Sequence, residues 1–136
     1  MFVEMLDQHK RELYYQLCIH AVTVDNVIAE EEINTLEEFK AHWHITDECD
    51  KPEVDLKDVL KELEESCSDM EKRIIIYELV GFFYADDEYA ESEKELMAKV
   101  EDAFGVSGDE TERLSRLVER YIDLYLDTYN EISFVG

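Results

Sequence analysis

Four carboxylates recur in two matching turns, and they are the residues of this sequence best suited to chemistry. Asp25 and Glu32 are separated by six residues, and Asp86 and Glu93 show the same separation 61 positions further on. Four clustered carboxylates repel one another unless a cation or bound protons neutralise them. Hard oxygen ligands of this kind suit Ca²⁺, Mg²⁺ or Mn²⁺. If the two turns face each other, the sequence predicts a divalent-metal site formed by these four residues.

The same residues also have a purely structural interpretation. Each Asp could cap the helix that follows, and each Glu could be a solvated first-turn residue, favoured there by the helix dipole. Two familiar carboxylate sites do not fit. An EF-hand loop needs oxygen ligands at alternate positions and Gly at the sixth, whereas the chain offers Asp86, Glu88, Ala90 and then Glu91. A di-iron bundle needs Glu-x-x-His pairs, and the sequence has none.

Histidine and cysteine offer weaker candidates. His42, His44 and Cys49 are close in sequence, but two histidines two positions apart on a helix point in different directions. Cys18 and Cys67 fall on apolar helix faces, where cysteine usually behaves as a small hydrophobic residue. The sequence therefore gives no support for a soft-metal site or a cysteine nucleophile.

No complete catalytic constellation is visible. The chain has no Gly-rich phosphate loop and no G-x-S-x-G motif. His9 and His20 lie on or near the apolar face of the first helix and are predicted to be partly buried packing residues. We therefore expect a protein that is not an enzyme, with a metal-assisted hydrolase using the paired carboxylates as the weakest alternative.

The elements that position the two turns are predicted to be helices, because apolar residues recur at three- and four-residue spacing. A shift of 61 residues also superposes the apolar positions around the turns. The matching pairs are Ile19 with Val80, Leu36 with Met97, Phe39 with Val100, Trp43 with Phe104, and Thr46 with Ser107. The sequence thus predicts an all-α fold, a compact bundle of about six to seven helices formed by two pseudo-symmetric helix–acidic turn–helix repeats. A single domain would span residues 1–136, with repeat one at about 13–48 and repeat two at about 74–109.

One segment could be either helix or strand. Residues 74–85 are apolar except for Glu78 and are rich in β-branched and aromatic side chains. We predict a central buried helix, because the run is longer than most strands and both flanks have helical patterns.

The last helix carries a tyrosine stripe. Ser107 and Glu110 have the spacing of a capping box, which predicts the start of this helix. Tyr121, Tyr125 and Tyr129 follow at four-residue intervals. Core packing is the expected role of such a stripe, and an interface is the alternative, because tyrosine tolerates a half-wet setting.

Composition narrows the classes of partner. The net charge of −23 argues against nucleic acid and against an anionic membrane surface, because little here would neutralise phosphates. Cations and basic proteins remain compatible, so we expect protein partners and leave a homodimer open. Three cysteines without a CxxC spacing, no signal-like start and no apolar run of membrane-spanning length favour a cytoplasmic protein.

The doubled unit resembles the TerB-like (tellurite-resistance) family, whose recurrent motif reads Ala-Asp-Gly, a short turn with an apolar residue, and an acidic helix start. The resemblance covers most of the chain. Asn26 and Asp87 stand where the family has Gly, and Ala29 and Ala90 stand where it has a capping residue. The nearer copy is Ala85-Asp86-Asp87-Glu88-Tyr89-Ala90-Glu91-Ser92-Glu93.

The resemblance implies a cytoplasmic, stress-associated module that is not itself an enzyme, has protein partners, and holds a metal ion on its acidic residues. The positions that carry over are Asp25, Glu32, Asp86 and Glu93. An acidic interaction adaptor that needs no metal is the main alternative.

Overall fold

The computed structural model describes residues 2–23, 30–45, 55–84 and 91–134, and all regular structure in these residues is helical. A short 3₁₀ helix, Phe2–Met5, precedes six α-helices. The predicted all-α class is confirmed. In the described ranges, no helix combines the length and hydropathy needed to cross a bilayer. The α-helices are α1 (Gln8–Thr23), α2 (Glu30–His42), α3 (Leu56–Ser66), α4 (Asp69–Phe83), α5 (Glu91–Phe104) and α6 (Gly108–Ser133).

Helix α4 is the centre of the bundle, and the segment that could have been a strand is helical. It contacts α1, α5, α6 and the 3₁₀ helix. Its start is fixed by a capping box: the Ser68 hydroxyl accepts from the Glu71 N–H, and the Glu71 carboxylate accepts from the Ser68 N–H. Because α4 is covered on several sides, its apolar residues are buried almost all round, namely Ile74, Ile75, Ile76, Leu79, Val80, Phe82 and Phe83.

Aromatic side chains attach α2 to this core. The rings of Phe39 and Trp43 stack with centroids 4.3 Å apart, and Tyr14 of α1 lies 6.0 Å from Trp43. Phe82 of α4 lies 6.2 Å from Phe39. These four rings join α1, α4 and the C-terminal end of α2, so aromatic packing holds α2 on the core.

A buried carboxylate fastens the 3₁₀ helix to α4. Glu78 is 5% exposed, and its Oε1 accepts a hydrogen bond from the Phe2 N–H at 2.9 Å. Burial raises the pKa of Glu78, while hydrogen bonds from the Phe2 and Val3 backbone work in the opposite direction. Glu78 is therefore a structural anchor whose charge is costly to bury.

The expected core role of the tyrosine stripe is wrong. Tyr121, Tyr125 and Tyr129 are 55%, 60% and 58% exposed. Helix α6 has 26 residues and is about 39 Å long, whereas α4, on which it packs, has 15 residues and is about 22 Å long. Because α6 extends beyond the end of α4, every residue from Asp123 to Phe134 is exposed.

The ends of the helices repeat at the offset found in the sequence. Gln8 and Asp69 begin α1 and α4, and Glu30 and Glu91 begin α2 and α5, each pair 61 residues apart. The residues that end α2 and α5 with a left-handed backbone also correspond. His44 and Gly105, again 61 apart, both have positive φ, at 54° and 68°.

The backbone hydrogen bonds around these two positions correspond as well. The Ile45 N–H donates to the Lys40 carbonyl, and the Val106 N–H donates to the Glu101 carbonyl, both at 3.0 Å. This is one left-handed helix-ending geometry formed twice. It supports the predicted repeat.

The two equivalent helix ends give a matched pair of stability changes. A non-Gly residue in the left-handed region costs about 1 kcal/mol. We expect Gly105→Ala to lower the free energy of unfolding by about 1 kcal/mol, and His44→Gly to raise it by about 0.5–1 kcal/mol. No atom lies within 4 Å of a Cβ built at Gly105, so the first effect is conformational, not steric. Urea denaturation measures both, and two changes of the same sign would contradict this account.

Glu78 makes the free energy of unfolding depend on pH. Because its pKa is higher in the folded state, the folded chain binds more protons, and stability falls as pH rises from the ordinary Glu value through the raised one. We expect Glu78→Gln, which keeps an acceptor for Phe2, to be more stable than the wild type at pH 7 by about 1 kcal/mol. The difference should narrow at pH 4 in urea denaturation. A variant less stable than the wild type at pH 7 would show that the charge itself is favourable.

Candidate metal centre

Glu93 is the one predicted ligand whose side chain the structure describes. It lies in the first turn of α5, and it is 6% exposed. Glu91, two residues earlier, has a side chain that is 85% exposed and lies 3.9 Å from the Lys94 ammonium. The solvated first-turn role that the sequence left open therefore describes Glu91 and is wrong for Glu93. A carboxylate buried at this depth is stable only when cations, protons or hydrogen bonds compensate it.

The structure does not describe the side chains of the other three predicted ligands. Glu32 lies in the first turn of α2, but its side chain is outside what the structure describes. Asp25 and Asp86 both lie outside the described residues. Convergence of the four carboxylates stays a prediction. Within the described ranges, no group of three or more His, Cys, Asp or Glu side chains could hold a metal ion.

The helices on either side of each acidic turn contact each other. Helix α1 ends at Thr23 and α2 begins at Glu30, whereas α4 ends at Phe83 and α5 begins at Glu91. Each acidic turn thus joins two helices that contact each other, α1 with α2 and α4 with α5. Helices α1 and α4 also contact each other, so the two helical hairpins share one core. In each hairpin, the predicted Glu lies in the first turn of the second helix, where the helix dipole favours negative charge.

Among the residues that the structure describes, the histidines do not form a second metal site. His9 is exposed and its Nε2 lies 2.7 Å from Glu62 Oε1, so the predicted half-buried packing role is wrong for this residue. The reason is that α1 presents His9 at its contact edge with the acidic helix α3. His20 is half-buried, as predicted. The Nε2 atom of His42 lies 3.7 Å from Glu4 Oε1 in the N-terminal segment.

The cysteines that the structure describes are buried thiols. Cys18 and Cys67 are free and buried, as predicted. Burial raises the pKa of both, and for Cys18 the shift is large. A thiol that keeps its proton is a poor nucleophile and a poor metal ligand. Cys49, the third cysteine, lies outside the described residues.

The buried carboxylate that sequence reasoning did not assign is Glu78. A signal was present, because Glu78 is the only charged residue in the apolar run of α4. Its hydrogen bond from Phe2 satisfies it locally, so its role is to hold the N-terminal segment.

Comparison with known structures shows that this fold occurs in another protein. The crystal structure of a tellurite resistance protein from Nostoc punctiforme matches with a TM-score of 0.70 and 20% sequence identity. The match covers 94% of this chain and 82% of the other. At this identity, the likeness shows a shared fold and nothing about ligands. No protein of curated function matches the chain.

A family model provides the assignment. The model described as tellurite resistance protein TerB matches residues 12–116, which include both acidic turns and end in the first half of α6. This range is well over half of the chain. The chain therefore belongs to the TerB family of tellurite resistance proteins.

Proposed function

We propose that this chain is a non-enzymatic binding module that holds a divalent cation between its two acidic turns. The observation that carries the proposal is the burial of Glu93 at a helix start where the neighbouring Glu91 faces solvent. A first-turn carboxylate normally gains from the helix dipole without leaving water. Burial of a carboxylate costs free energy, and Glu93 already interacts with another group of the chain. A bound cation would add to that compensation.

The matching architecture of the hairpins supports a site with two halves. Because α2 and α5 begin at equivalent positions, Glu32 and Glu93 occupy equivalent places in their helices. Asp25 and Asp86 precede them at the same spacing. Four carboxylates supply only hard oxygen donors, which select Ca²⁺, Mg²⁺ or Mn²⁺ over soft metals. The cellular setting we propose is tellurite resistance or a related stress response in the cytoplasm, in keeping with the description of the family.

Cation binding should raise thermal stability in a way that depends on Glu93. A ligand at 100 times its dissociation constant stabilises the folded state by about 2.7 kcal/mol, which is about 5–10 °C in Tm for a chain of this size. We expect such a shift with one of Ca²⁺, Mg²⁺ or Mn²⁺ in differential scanning fluorimetry. Glu93→Gln should reduce it, and the double variant Asp25→Asn/Asp86→Asn should abolish it, because ligand charge is removed.

Glu91→Gln is the matched control for this experiment. It changes the same group in the same helix turn, but at an exposed position. Its cation-dependent shift should equal that of the wild type. A wild type that does not respond to any of the three cations, or a response that the double variant retains, would refute the metal site.

The high negative charge favours a second candidate, an acidic adaptor that docks a basic protein without metal. The chain carries 36 acidic and 13 basic residues. Such docking should weaken steeply between about 0.05 M and 0.5 M salt, because exposed charges are screened, and should be unaffected by EDTA. A pull-down at both salt concentrations, with and without EDTA, measures this. A partner lost on adding EDTA but retained at high salt would favour the metal site instead.

A further inference from the structure

From Leu117 onward, helix α6 presents an apolar surface that nothing in the described chain covers. Leu117, Tyr121 and Leu124 are 48%, 55% and 65% exposed. They border an open groove of about 810 Å³ between α4 and α6, whose other apolar lining includes Met70 and Tyr77. Isolated exposed apolar residues are ordinary, but a continuous groove of this kind is typical of an interaction site. The family match ends at residue 116, so this surface lies beyond the part shared with the family model.

The spacing along α6 is that of a two-helix seam. Leu117, Tyr121, Leu124 and Thr128 follow one another at intervals of four, three and four residues. This is the alternation with which one helix packs along another in a coiled coil. Arg120 and Asp127 are seven residues apart, so they flank the same side of this seam. Both also line the groove.

The charges of Arg120 and Asp127 indicate the direction in which a second helix would lie in the groove. Neither Arg120 nor Asp127 forms an ion pair within the described part of the chain. If a second α6 runs antiparallel and crosses between Ile122 and Asp123, Tyr121 of each copy packs opposite Leu124 of the other. Arg120 of each copy then flanks the seam on the same side as Asp127 of the other, offset by about 3 Å along the helix axis. A parallel arrangement places Arg120 beside Tyr125 and Asp127 beside Ile132, which gives no opposite charges. Charge complementarity therefore selects an antiparallel pair related by a two-fold axis.

We propose that the α6 groove is covered by α6 of a second copy of this chain, packed antiparallel, with two symmetric Arg120–Asp127 pairs. The seam buries Leu117, Tyr121 and Leu124 of both copies. The apolar contacts supply the affinity, and the charge pairs fix the direction and register. This interface is independent of the cation site proposed at the acidic turns.

Charge reversal tests the interface. In sedimentation equilibrium at about 0.15 M salt, we expect the wild type to form a dimer of about twice the 16.1 kDa of one copy. Arg120→Glu alone, or Asp127→Arg alone, puts like charges opposite each other in both symmetric pairs of the dimer. Either variant should therefore raise the dimer dissociation constant at least about tenfold. An equimolar mixture of the two variants should restore the dimer. In the mixed dimer, the two substituted side chains carry opposite charges and face each other, and the unchanged Arg120 and Asp127 form the second pair.

Controls separate this interface from general charge effects. Lys61→Glu and Glu65→Arg make the same kinds of charge change at exposed positions on α3. Both should leave the dimer intact. Leu124→Glu should disrupt it without altering the circular dichroism spectrum of the monomer, since Leu124 is already exposed. A wild type that stays monomeric, a dimer insensitive to Arg120→Glu, or single variants that do not recombine in the mixture would each overturn the proposal.

Discussion

The burial of α4 is the constraint on which the rest of the structure depends. Its sequence is apolar on nearly every face beyond its first turn, so it can be stable in water only when other elements surround it. Helices α1, α5, α6 and the N-terminal 3₁₀ helix provide that cover. The buried charge of this helix, Glu78, holds one of these covering elements in place. The acidic turns then follow where α1 and α4 end, because each chain segment must turn back to pack on the same core.

Much of this arrangement could be predicted from the sequence, for identifiable reasons. The starts of α4 and α6 are encoded by Ser68 and Ser107, whose hydroxyls cap backbone N–H groups in both cases. The 61-residue offset appears both in the apolar positions and in the first residues of four helices. These features are local, or depend on spacing alone, and they do not require knowledge of the tertiary contacts.

The failures arise because sequence spacing gives the face of a helix but not what the fold places beside it. The tyrosine stripe of α6 has the correct period for a core face, but the helix it packs on is shorter, so the stripe continues past the core. The same limit applies to the candidate site. A pattern cannot distinguish Glu91 from Glu93, both first-turn carboxylates, although the direction in which each faces makes one solvated and the other buried.

A chain with a net charge of −23 is destabilised by its own repulsion, which bound cations relieve. The central claim is the cation at the acidic turns, and anomalous diffraction from crystals grown with Mn²⁺ tests it most directly. We expect a strong anomalous peak within about 2–2.6 Å of carboxylate oxygens from both turns. Crystals whose manganese peaks all lie away from Asp25, Asp86 and Glu93 would contradict it.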